Sequence, residues 1–359
     1  MLHSDPVFRI PRSWQLEGEN VFAGRTVLIT GGTGSFGAAF TKYLLKGDAR
    51  QIRIFSRDEA KQDAMRHAFR DDRLSFYLGD IRDQESIVPA MKGVDFVFHA
   101  AALKQVPACE LFPEQAVKTN VIGSRNVLQA ADALNVERVV CLSTDKAVYP
   151  INVMGMTKAL MEKTVQASAR RLGRGPILCT VRYGNVLNSR GSVVPVFIEQ
   201  LKRGRPITVT APEMTRFLLT LDDAIGLIEM ALRHGAPGDT FVRKSPATTV
   251  QDMALAIKDL YRSDVPVQVV GVRPGEKFHE TLCTFSEIAL AEETDDFFRI
   301  GLGDQNDLTA NSGRIVGPSE DYTSDRARRL GVAEIRAILD RVPEIAEDAR
   351  TYLRLRASA

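Results

Sequence analysis

The residues best suited to proton transfer stand together at positions 143–146, where Ser-Thr-Asp-Lys directly follows the apolar run RVVCL. A carboxylic acid beside an amine can act as a general acid and a general base when burial and neighbouring charges shift their pKa values. Lys158 follows on a stretch with helical spacing and adds a second amine. Met154 stands one helical turn before it, and a thioether cannot accept a proton at neutral pH. The pattern predicts proton-transfer chemistry and leaves open which residue supplies the base.

A glycine-rich turn, TGGTGSFG, follows the apolar run RTVLIT and opens a segment with helical spacing. Glycine lets the backbone turn tightly and approach a pyrophosphate, which rests at the positive end of a helix. This strand–turn–helix context predicts dinucleotide binding. The turn residues expected to contact the cofactor are Gly31, Thr33, Gly34, Ser35, Phe36 and Gly37.

The residue types after the second predicted strand favour NADP over NAD. Ser56, Arg57 and Lys61 offer a hydroxyl, a guanidinium and an ammonium, which suit a ribose 2′-phosphate. Asp58 lies among them, and the alternative is a solvated helix start that Asp58 caps. Asp80, after the third strand, is expected to accept a hydrogen bond from the adenine amino group. The remaining predicted cofactor contacts are Ile81 and Ala100.

Strand-length apolar runs alternate with helical patterns in the first half of the chain. The runs lie at 25–30, 51–56, 73–80, 94–101, 138–145 and 177–185, and the clearest helical pattern lies at 113–134. This alternation predicts an α/β fold with a Rossmann-type doubly wound parallel sheet, in which ligands bind at the carboxyl ends of the strands. After residue 185 the alternation weakens, which predicts a smaller mixed substrate-binding domain. We expect four parts: an N-terminal extension (1–23), an NADP-binding Rossmann domain (24–185), a substrate-binding region (186–293) and a C-terminal extension (294–359).

The composition is that of an ordinary soluble protein, with 44% hydrophobic and 26% charged residues and a net charge of +2. Because the charge is balanced and the apolar runs are short, neither nucleic acid nor a membrane is expected as a partner. The first twenty residues lack the basic start and apolar stretch of a secretory signal, which favours a cytoplasmic protein. The four cysteines show no metal-ligand spacing, so free thiols and no metal site are predicted.

The chain resembles the extended short-chain dehydrogenase/reductase family, and within it the UDP-N-acetylglucosamine 4,6-dehydratases of bacterial polysaccharide synthesis. Most of these carry a tyrosine four residues before the helix lysine. A capsular and O-antigen branch of the CapE/FnlA type is similar to this chain in carrying methionine there, and in an EDYxS stretch, here at 320–324. The resemblance implies a 4,6-dehydratase that also inverts carbon 5, with Met154 as a packing residue. The stretches that carry it are TGGTGSFG, IFSRDEAKQ, YLGDIRD, HAAALKQVPACE, AVKTNVIGSRNVL, LSTDKAVYPIN, RYGNV, SRGSVVPVF, MTRFLLTLDDA and RPGEK.

The resemblance also implies catalytic roles. Asp145 would protonate the leaving 6-hydroxyl, Lys146 would remove the proton from carbon 5, and Thr144 would hold the 4-hydroxyl. Hydride would pass from carbon 4 to NADP and return to carbon 6, so that the cofactor is regenerated. Lys158 would lie beside the nicotinamide ribose, as both a catalytic and a cofactor-binding residue. For the base at the 4-hydroxyl, a neutral Lys146 is favoured and Tyr149 is the competitor.

Candidate contacts to a UDP-sugar combine cations, which suit a diphosphate, with a carboxylate, which suits ribose hydroxyls. They are Lys104, Tyr183, Asn185, Arg190, Ser192, Arg216 and Glu276. His99 stands near Lys104 in the same motif, and Asn120 has a structural role by resemblance. Lys277 and His279 are typical of the wider dehydratase family, and a homo-oligomer, from dimer to hexamer, is also implied.

Two other functions fit parts of the sequence. A UDP-N-acetylhexosamine 4-epimerase would use the same cofactor, although it needs no acid–base pair for carbon 6. A non-catalytic NADP-binding scaffold would explain Met154, although it gives no reason for Asp145, Lys146 and Lys158 to occur together.

Overall fold

The computed structural model describes residues 20–173, 175–189, 191–302 and 320–357. Its strands are β1 (Thr26–Thr30), β2 (Gln51–Ser56), β3 (Leu74–Leu78), β4 (Phe96–His99), β5 (Arg138–Leu142), β6 (Ile177–Arg182), β7 (Asn185–Val186), β8 (Ile207–Val209), β9 (Thr215–Leu219), β10 (Thr240–Arg243), β11 (Ala247–Thr249), β12 (Val267–Val269), β13 (Thr281–Cys283), β14 (Ala291–Glu293), β15 (Phe297–Ile300) and β16 (Tyr322–Thr323). Its helices are α1 (Ser35–Leu45), α2 (Glu59–Phe69), α3 (Gln84–Met91), α4 (Val106–Leu111), α5 (Pro113–Ala116), α6 (Ser124–Ala133), α7 (Val153–Leu172), α8 (Val193–Lys202), α9 (Leu221–His234), α10 (Val250–Leu260), α11 (Phe285–Ile288), α12 (Val332–Asp340) and α13 (Pro343–Ala357). A π-helical segment (Val117–Gly123) joins α5 to α6, and a 3-10 turn (Asp145–Ala147) follows β5.

Within the described residues, the central sheet has nine strands in the order β14-β15-β10-β6-β5-β4-β1-β2-β3. The strands from β3 to β10 are parallel, whereas β15 and β14 add antiparallel pairs at one edge. The strand order reverses between β1 and β4, and ligands bind beyond the carboxyl ends of the strands at such a point. The prediction of a Rossmann-type doubly wound sheet is confirmed.

Both faces of this sheet are covered because its strands are apolar on both sides. Val27 and Ile29 of β1 pack with residues of α1, α2 and α9, whereas Leu28 packs on the opposite face with residues of α3, α6 and α7. Successive side chains of a strand point to opposite faces, so a continuous apolar run requires helices on both.

The sheet continues past residue 185, where the cofactor domain was expected to end. β10 pairs with β6, and β15 and β14 extend the sheet from the polar stretch after 290.

At the N-terminal end of the chain, residues 1–19 of the expected N-terminal extension lie outside the described residues. Phe22, in the same extension, is buried and packs edge-on against Phe40 and Phe96. The four-part division therefore stays a proposal.

A second apolar cluster joins α8 and α10 to α12 and α13, beside the two-stranded β8–β12 sheet. The chain then adds β16 to β13, so residues after 320 return to the centre of the molecule. Among the described residues, no helix has both the length and the apolar character needed to cross a membrane.

Candidate functional site

A cavity of about 570 Å³ opens where the carboxyl ends of β1, β2, β4, β5 and β6 meet. It extends from the glycine turn after β1 to the turn after β5. The residues predicted as catalytic or cofactor-binding that line it are Gly31, Thr33, Gly34, Ser35, Phe36, Gly37, Ser56, Arg57, Lys61, Asp80, Ile81, Ala100, Thr144, Asp145, Lys146 and Lys158. Three predicted substrate contacts, Lys104, Tyr183 and Asn185, line it as well. The roles of these residues stay predictions.

The glycine turn leaves no room for side chains. Gly31 has a φ of 67°, and a Cβ there would lie 2.8 Å from the backbone of Ala101. A Cβ on Gly37 would lie 2.5 Å from the Cα of Gly32. α1 begins directly after the turn, at Ser35, and its N-cap makes no side-chain hydrogen bond. The positive end of α1 therefore faces a groove that fits the pyrophosphate of a dinucleotide.

The end of β2 presents cations, but each has an acidic neighbour. Asp58 caps α2 by accepting a hydrogen bond from the Lys61 amide at 3.0 Å, and its carboxylate also pairs with the Lys61 ammonium. Arg57 Nη1 lies 3.6 Å from Asp80 Oδ2, and Arg82 binds the same carboxylate at 2.6 Å. The capping role considered for Asp58 is thus present, and the adenine contact proposed for Asp80 would compete with Arg82.

Lys146 is held between two buried carboxylates. Its Nζ lies 3.0 Å from Asp145 Oδ1 and 3.2 Å from Glu280 Oε1, and the two acids are 1% and 2% exposed. Thr144 Oγ1 donates a hydrogen bond to Asp145 Oδ1 at 2.8 Å. On the other side, Lys277 Nζ lies 3.9 Å from Glu280 Oε2. Two acids and two amines thus meet where β5 ends.

Lys146 was expected to be neutral, but its surroundings favour the charged amine. Burial alone lowers the pKa of its amine, but the charges of Asp145 and Glu280 outweigh burial and raise that pKa above its ordinary value. A resting neutral Lys146, favoured from the sequence, is therefore not what this arrangement gives. The reason is the combined charge of two carboxylates, Asp145 beside it in the sequence and Glu280 far away.

Lys158 has the opposite environment. It lies on α7, is 5% exposed, and donates a hydrogen bond from Nζ to the Leu142 carbonyl at 2.6 Å. Burial lowers its pKa to about 8. The first turn of α7 is fixed by Asn152, whose side chain accepts a hydrogen bond from the Gly155 amide.

Neither Met154 nor Tyr149, the two residues considered near Lys158 in the sequence, provides an obvious base. Met154 is 4% exposed and packs against Cys109 and Ala116, as expected of a packing residue, while also lining the cavity. Tyr149 is 51% exposed, has a φ of 44°, and its hydroxyl lies 3.4 Å from Asp321 Oδ1. Burial and the Asp321 carboxylate raise the pKa of Tyr149, and its side chain is not part of the cavity lining.

Two polar residues of the sequence motifs, His99 and Asn120, are internal supports. His99 is 1% exposed between Thr30 and Ser124, and burial, reinforced by the charge of Lys158, lowers its pKa to about 3. Asn120, in the π-helical segment, accepts from the Leu103 amide at 2.8 Å and donates to Thr157 at 2.9 Å. It therefore ties the loop after β4 to α7.

Of the residues predicted for the nucleotide, Asn185 lines the cavity, and the others that the structure describes lie beyond its lining. Arg216 Nη2 lies 3.0 Å from Glu276 Oε1, and Arg216 and Ser192 line a small adjoining pocket with Asn185. Among the described residues, no hydrogen-bond partner is found for Asn185 Oδ1, Ser192 Oγ or Glu276 Oε2, although all three atoms are buried. Unpartnered buried polar atoms are costly, so a polar ligand is a natural partner for them. Arg190 lies outside the described residues.

Sequence reasoning missed Glu280 and Ser324. Ser324 is fully buried; its hydroxyl accepts from the Glu280 amide at 2.9 Å, and its amide donates to the Glu280 carbonyl at 2.8 Å. The EDYxS stretch contained Ser324, but nothing in its pattern indicated a partner.

Comparison with known proteins identifies the relatives of this chain. A model of the polysaccharide biosynthesis protein family matches residues 27–301. A Rickettsia conorii protein named UDP-glucose 4-epimerase is 48% identical over 340 residues, which are 92% of this chain and 99% of the relative. A Rickettsia prowazekii protein of the same name is 48% identical over 329 residues, 89% of this chain and 96% of the relative.

Solved structures agree with this assignment. Pen from Bacillus thuringiensis has a TM-score of 0.81 and 34% sequence identity, covering 89% of this chain and 97% of its own. The dTDP-glucose 4,6-dehydratase DesIV from Streptomyces venezuelae has a TM-score of 0.65 and 24% identity, covering 70% and 86%, and so shares the fold. The chain belongs to the polysaccharide biosynthesis protein family, among the nucleotide-sugar epimerases and dehydratases.

Proposed function

We propose that this protein is a UDP-N-acetylglucosamine 4,6-dehydratase that inverts carbon 5 and uses NADP. One observation carries the proposal: the Lys146 amine lies between the buried carboxylates of Asp145 and Glu280, at the carboxyl end of β5. Loss of water across carbons 5 and 6 requires one group to remove a proton and another to protonate the leaving oxygen. Asp145 and Lys146 are adjacent and can divide these two tasks.

The nicotinamide cofactor would supply hydride transfer, taking hydride from carbon 4 and returning it to carbon 6. The glycine turn and the start of α1 would hold its pyrophosphate, and Arg57 and Lys61 would bind a 2′-phosphate. We expect Arg57→Ala with Lys61→Ala to weaken NADP binding about tenfold and leave NAD binding unchanged, because only NADP carries that phosphate. Titration of each cofactor against both proteins measures this, and equal losses for the two cofactors would contradict NADP preference.

The proton of the 4-hydroxyl has a route that needs no tyrosine. Thr144 Oγ1 would accept that proton's hydrogen bond while donating its own to Asp145 Oδ1, 2.8 Å away. The proton would pass through Thr144 to Asp145, and Asp145 would then give it to the leaving 6-hydroxyl as water forms. This path would account for Met154 in place of a proton acceptor.

The UDP portion would occupy the end of the cavity near Arg216. Arg216 would bind the diphosphate, and the unpartnered atoms of Asn185, Ser192 and Glu276 would take hydrogen bonds to the nucleotide. Lys104, Tyr183 and Arg190 remain predicted contacts, and a homo-oligomer remains predicted.

The second candidate is a UDP-sugar 4-epimerase, which the names of the Rickettsia relatives favour. A third, a non-catalytic NADP-binding scaffold, is motivated by Met154. An epimerase changes only carbon 4, so it has no use for the acid–amine cluster around Lys146.

One experiment separates the three functions. The purified protein is incubated with NADP and UDP-N-acetylglucosamine, and separately UDP-glucose, in deuterated water, and the products are examined by NMR. We expect a 4-keto-6-deoxy sugar with deuterium and L configuration at carbon 5. A 4-epimer without loss of water would instead make the protein an epimerase, and unchanged sugars with bound cofactor would make it a scaffold.

A further inference from the structure

Glu280 is a buried carboxylate that uses only one of its two oxygens to bind Lys146. Its Oε1 lies 3.2 Å from Lys146 Nζ, whereas its Oε2 has no hydrogen-bond partner among the described residues. Lys277 Nζ lies 3.9 Å from Oε2, beyond hydrogen-bonding distance, and donates instead to the Val148 carbonyl. A buried carboxylate oxygen without a donor can form a new bond to hydrogen without breaking an existing hydrogen bond.

Residues from two distant parts of the chain, Ser324 and Thr215, hold Glu280 in position. Its backbone amide and carbonyl both bind Ser324, at 2.9 Å and 2.8 Å. The Ser324 hydroxyl also lies 2.6 Å from Thr215 Oγ1 on β9. Glu280 is therefore held against Lys146 by a strand that comes from beyond residue 320.

The proposed chemistry requires a group that accepts one proton from the Lys146 amine. Lys146 must be neutral before it can remove the proton from carbon 5, yet Asp145 and Glu280 both stabilise its charged form. Two cations face the same cluster: Lys277 from the loop before β13, and Arg216 from β9. His279 is turned to Thr215, 2.8 Å away.

Of the two carboxylates, Asp145 is the less available. Its Oδ1 already accepts hydrogen bonds from Thr144 and Lys146, and the proposed function reserves it for the proton of the 4-hydroxyl. Each carboxylate keeps one buried oxygen, Asp145 Oδ2 or Glu280 Oε2, without a hydrogen-bond partner among the described residues. Because Asp145 is reserved for the proton of the 4-hydroxyl, Glu280 is the carboxylate left to exchange a proton with Lys146.

We propose that Glu280 accepts a proton from Lys146 and so converts it into the neutral base that acts at carbon 5. An N–H bond of the Lys146 ammonium breaks, an O–H bond forms on Glu280, and the amine lone pair becomes available. The amine then takes the carbon 5 proton. When Lys146 later releases that proton to water, Glu280 returns its own proton to the amine and the starting state is restored. Glu280 is thus a positioning residue that acts on the substrate through Lys146, and the inference rests on the proposed dehydratase function.

The test is Glu280→Gln, which keeps the shape and a hydrogen-bond acceptor for Lys146 but cannot take up the proton. The wild-type protein first makes the 4-keto product, and each variant is then incubated with that product and NADP in deuterated water. We expect exchange at carbon 5 to slow by about 100-fold, as for loss of a general base. The remaining rate should rise with pH, because Lys146 must then lose its proton to water.

The direction in which the exchange rate at carbon 5 changes shows whether Glu280 acts as a proton acceptor or only as a fixed negative charge. If Glu280 acted only through its charge, its removal would lower the pKa of Lys146 and exchange near neutral pH would become faster. A faster or unchanged rate with Glu280→Gln would overturn the inference. Ser324→Ala serves as the matched control: it removes a support of Glu280 but keeps the carboxylate, so its rate should fall less and its pH profile should stay that of the wild type. Thermal unfolding of each variant checks that the fold is retained.

The two proposals fail in different ways. A wild-type protein that forms no 4-keto-6-deoxy sugar overturns the dehydratase function and, with it, the role of Glu280. A wild-type protein that forms this product, together with a Glu280→Gln variant that exchanges carbon 5 normally, overturns only the role of Glu280.

Discussion

The two ends of the cavity are built in different ways. The end near α1 is formed by backbone: a glycine turn of consecutive residues and the start of the helix that follows it. The end near Lys146 is formed by side chains from four separate places, with Asp145 after β5, Arg216 on β9, Glu280 before β13 and Ser324 beyond β16. The first end depends mainly on one local turn packed against its neighbouring strands, whereas the second depends on residues from distant parts of the chain.

The sharpest test of this contrast is Lys146→Met, which removes the amine and keeps most of the apolar volume. If the two ends work independently, turnover should fall by about 1,000-fold or more while cofactor affinity stays within about twofold, because the amine serves proton transfer. NMR of the sugar product and cofactor titration measure the two effects. A large loss of cofactor affinity would show that the ends are coupled.

Thr144 offers a finer test at the same end. Thr144→Val keeps the shape but removes the hydroxyl that joins the 4-hydroxyl to Asp145, so we expect kcat to fall by about 100-fold with little change in KM. Thr144→Ser keeps the hydroxyl and should restore most of the rate. A Val variant as active as the Ser variant would mean that the 4-hydroxyl proton leaves by another path.

Lys158 lies between the two ends and should make stability depend on pH. Its folded pKa of about 8 is below the ordinary lysine value of 10.5, so between these values the unfolded chain binds more protons and stability rises with pH. Below pH 8 the wild type carries a buried charge that Lys158→Met lacks. The advantage of this variant in free energy of unfolding should therefore shrink by about 2–3 kcal/mol between pH 7 and pH 10.5. Urea unfolding of both cofactor-free proteins across this range measures it, and a constant difference would contradict the prediction.

Gly31→Ala tests the end of the cavity near α1, which is formed by backbone. The new Cβ would meet the Ala101 backbone at 2.8 Å on a residue with a φ of 67°, so the free energy of unfolding should fall by about 1–3 kcal/mol. Dinucleotide affinity should fall as well, since the turn must shift. Gly226→Ala is the control: this glycine lies inside α9 with no atom within 4 Å of its Cβ position, so stability should rise by up to about 1 kcal/mol. Similar losses in both variants would argue against a special role for the turn.

The same contrast explains what the sequence could reveal. The strands of the parallel sheet and the glycine turn were predictable because a local pattern marks each of them, and β1 to β6 were all anticipated close to their observed bounds. β15 was missed because its four residues lie in a polar stretch, and only pairing with β10 makes them a strand. The pairing of Lys146 with Glu280 was missed for a related reason. No local pattern links two residues so far apart, and the second carboxylate adds to Asp145 in favouring the charged form of Lys146.

The link between Ser324 and Glu280 has a consequence for how the protein matures. During translation, all nine strands of the central sheet are synthesised before Ser324 leaves the ribosome. A nascent chain could therefore bind its cofactor while Glu280 is still without its support. A chain that stops before residue 320 would keep the glycine turn and the central sheet but lose the support of Glu280 and the α12–α13 part of the second apolar cluster. Cofactor binding alone would therefore be a poor assay for correctly completed molecules.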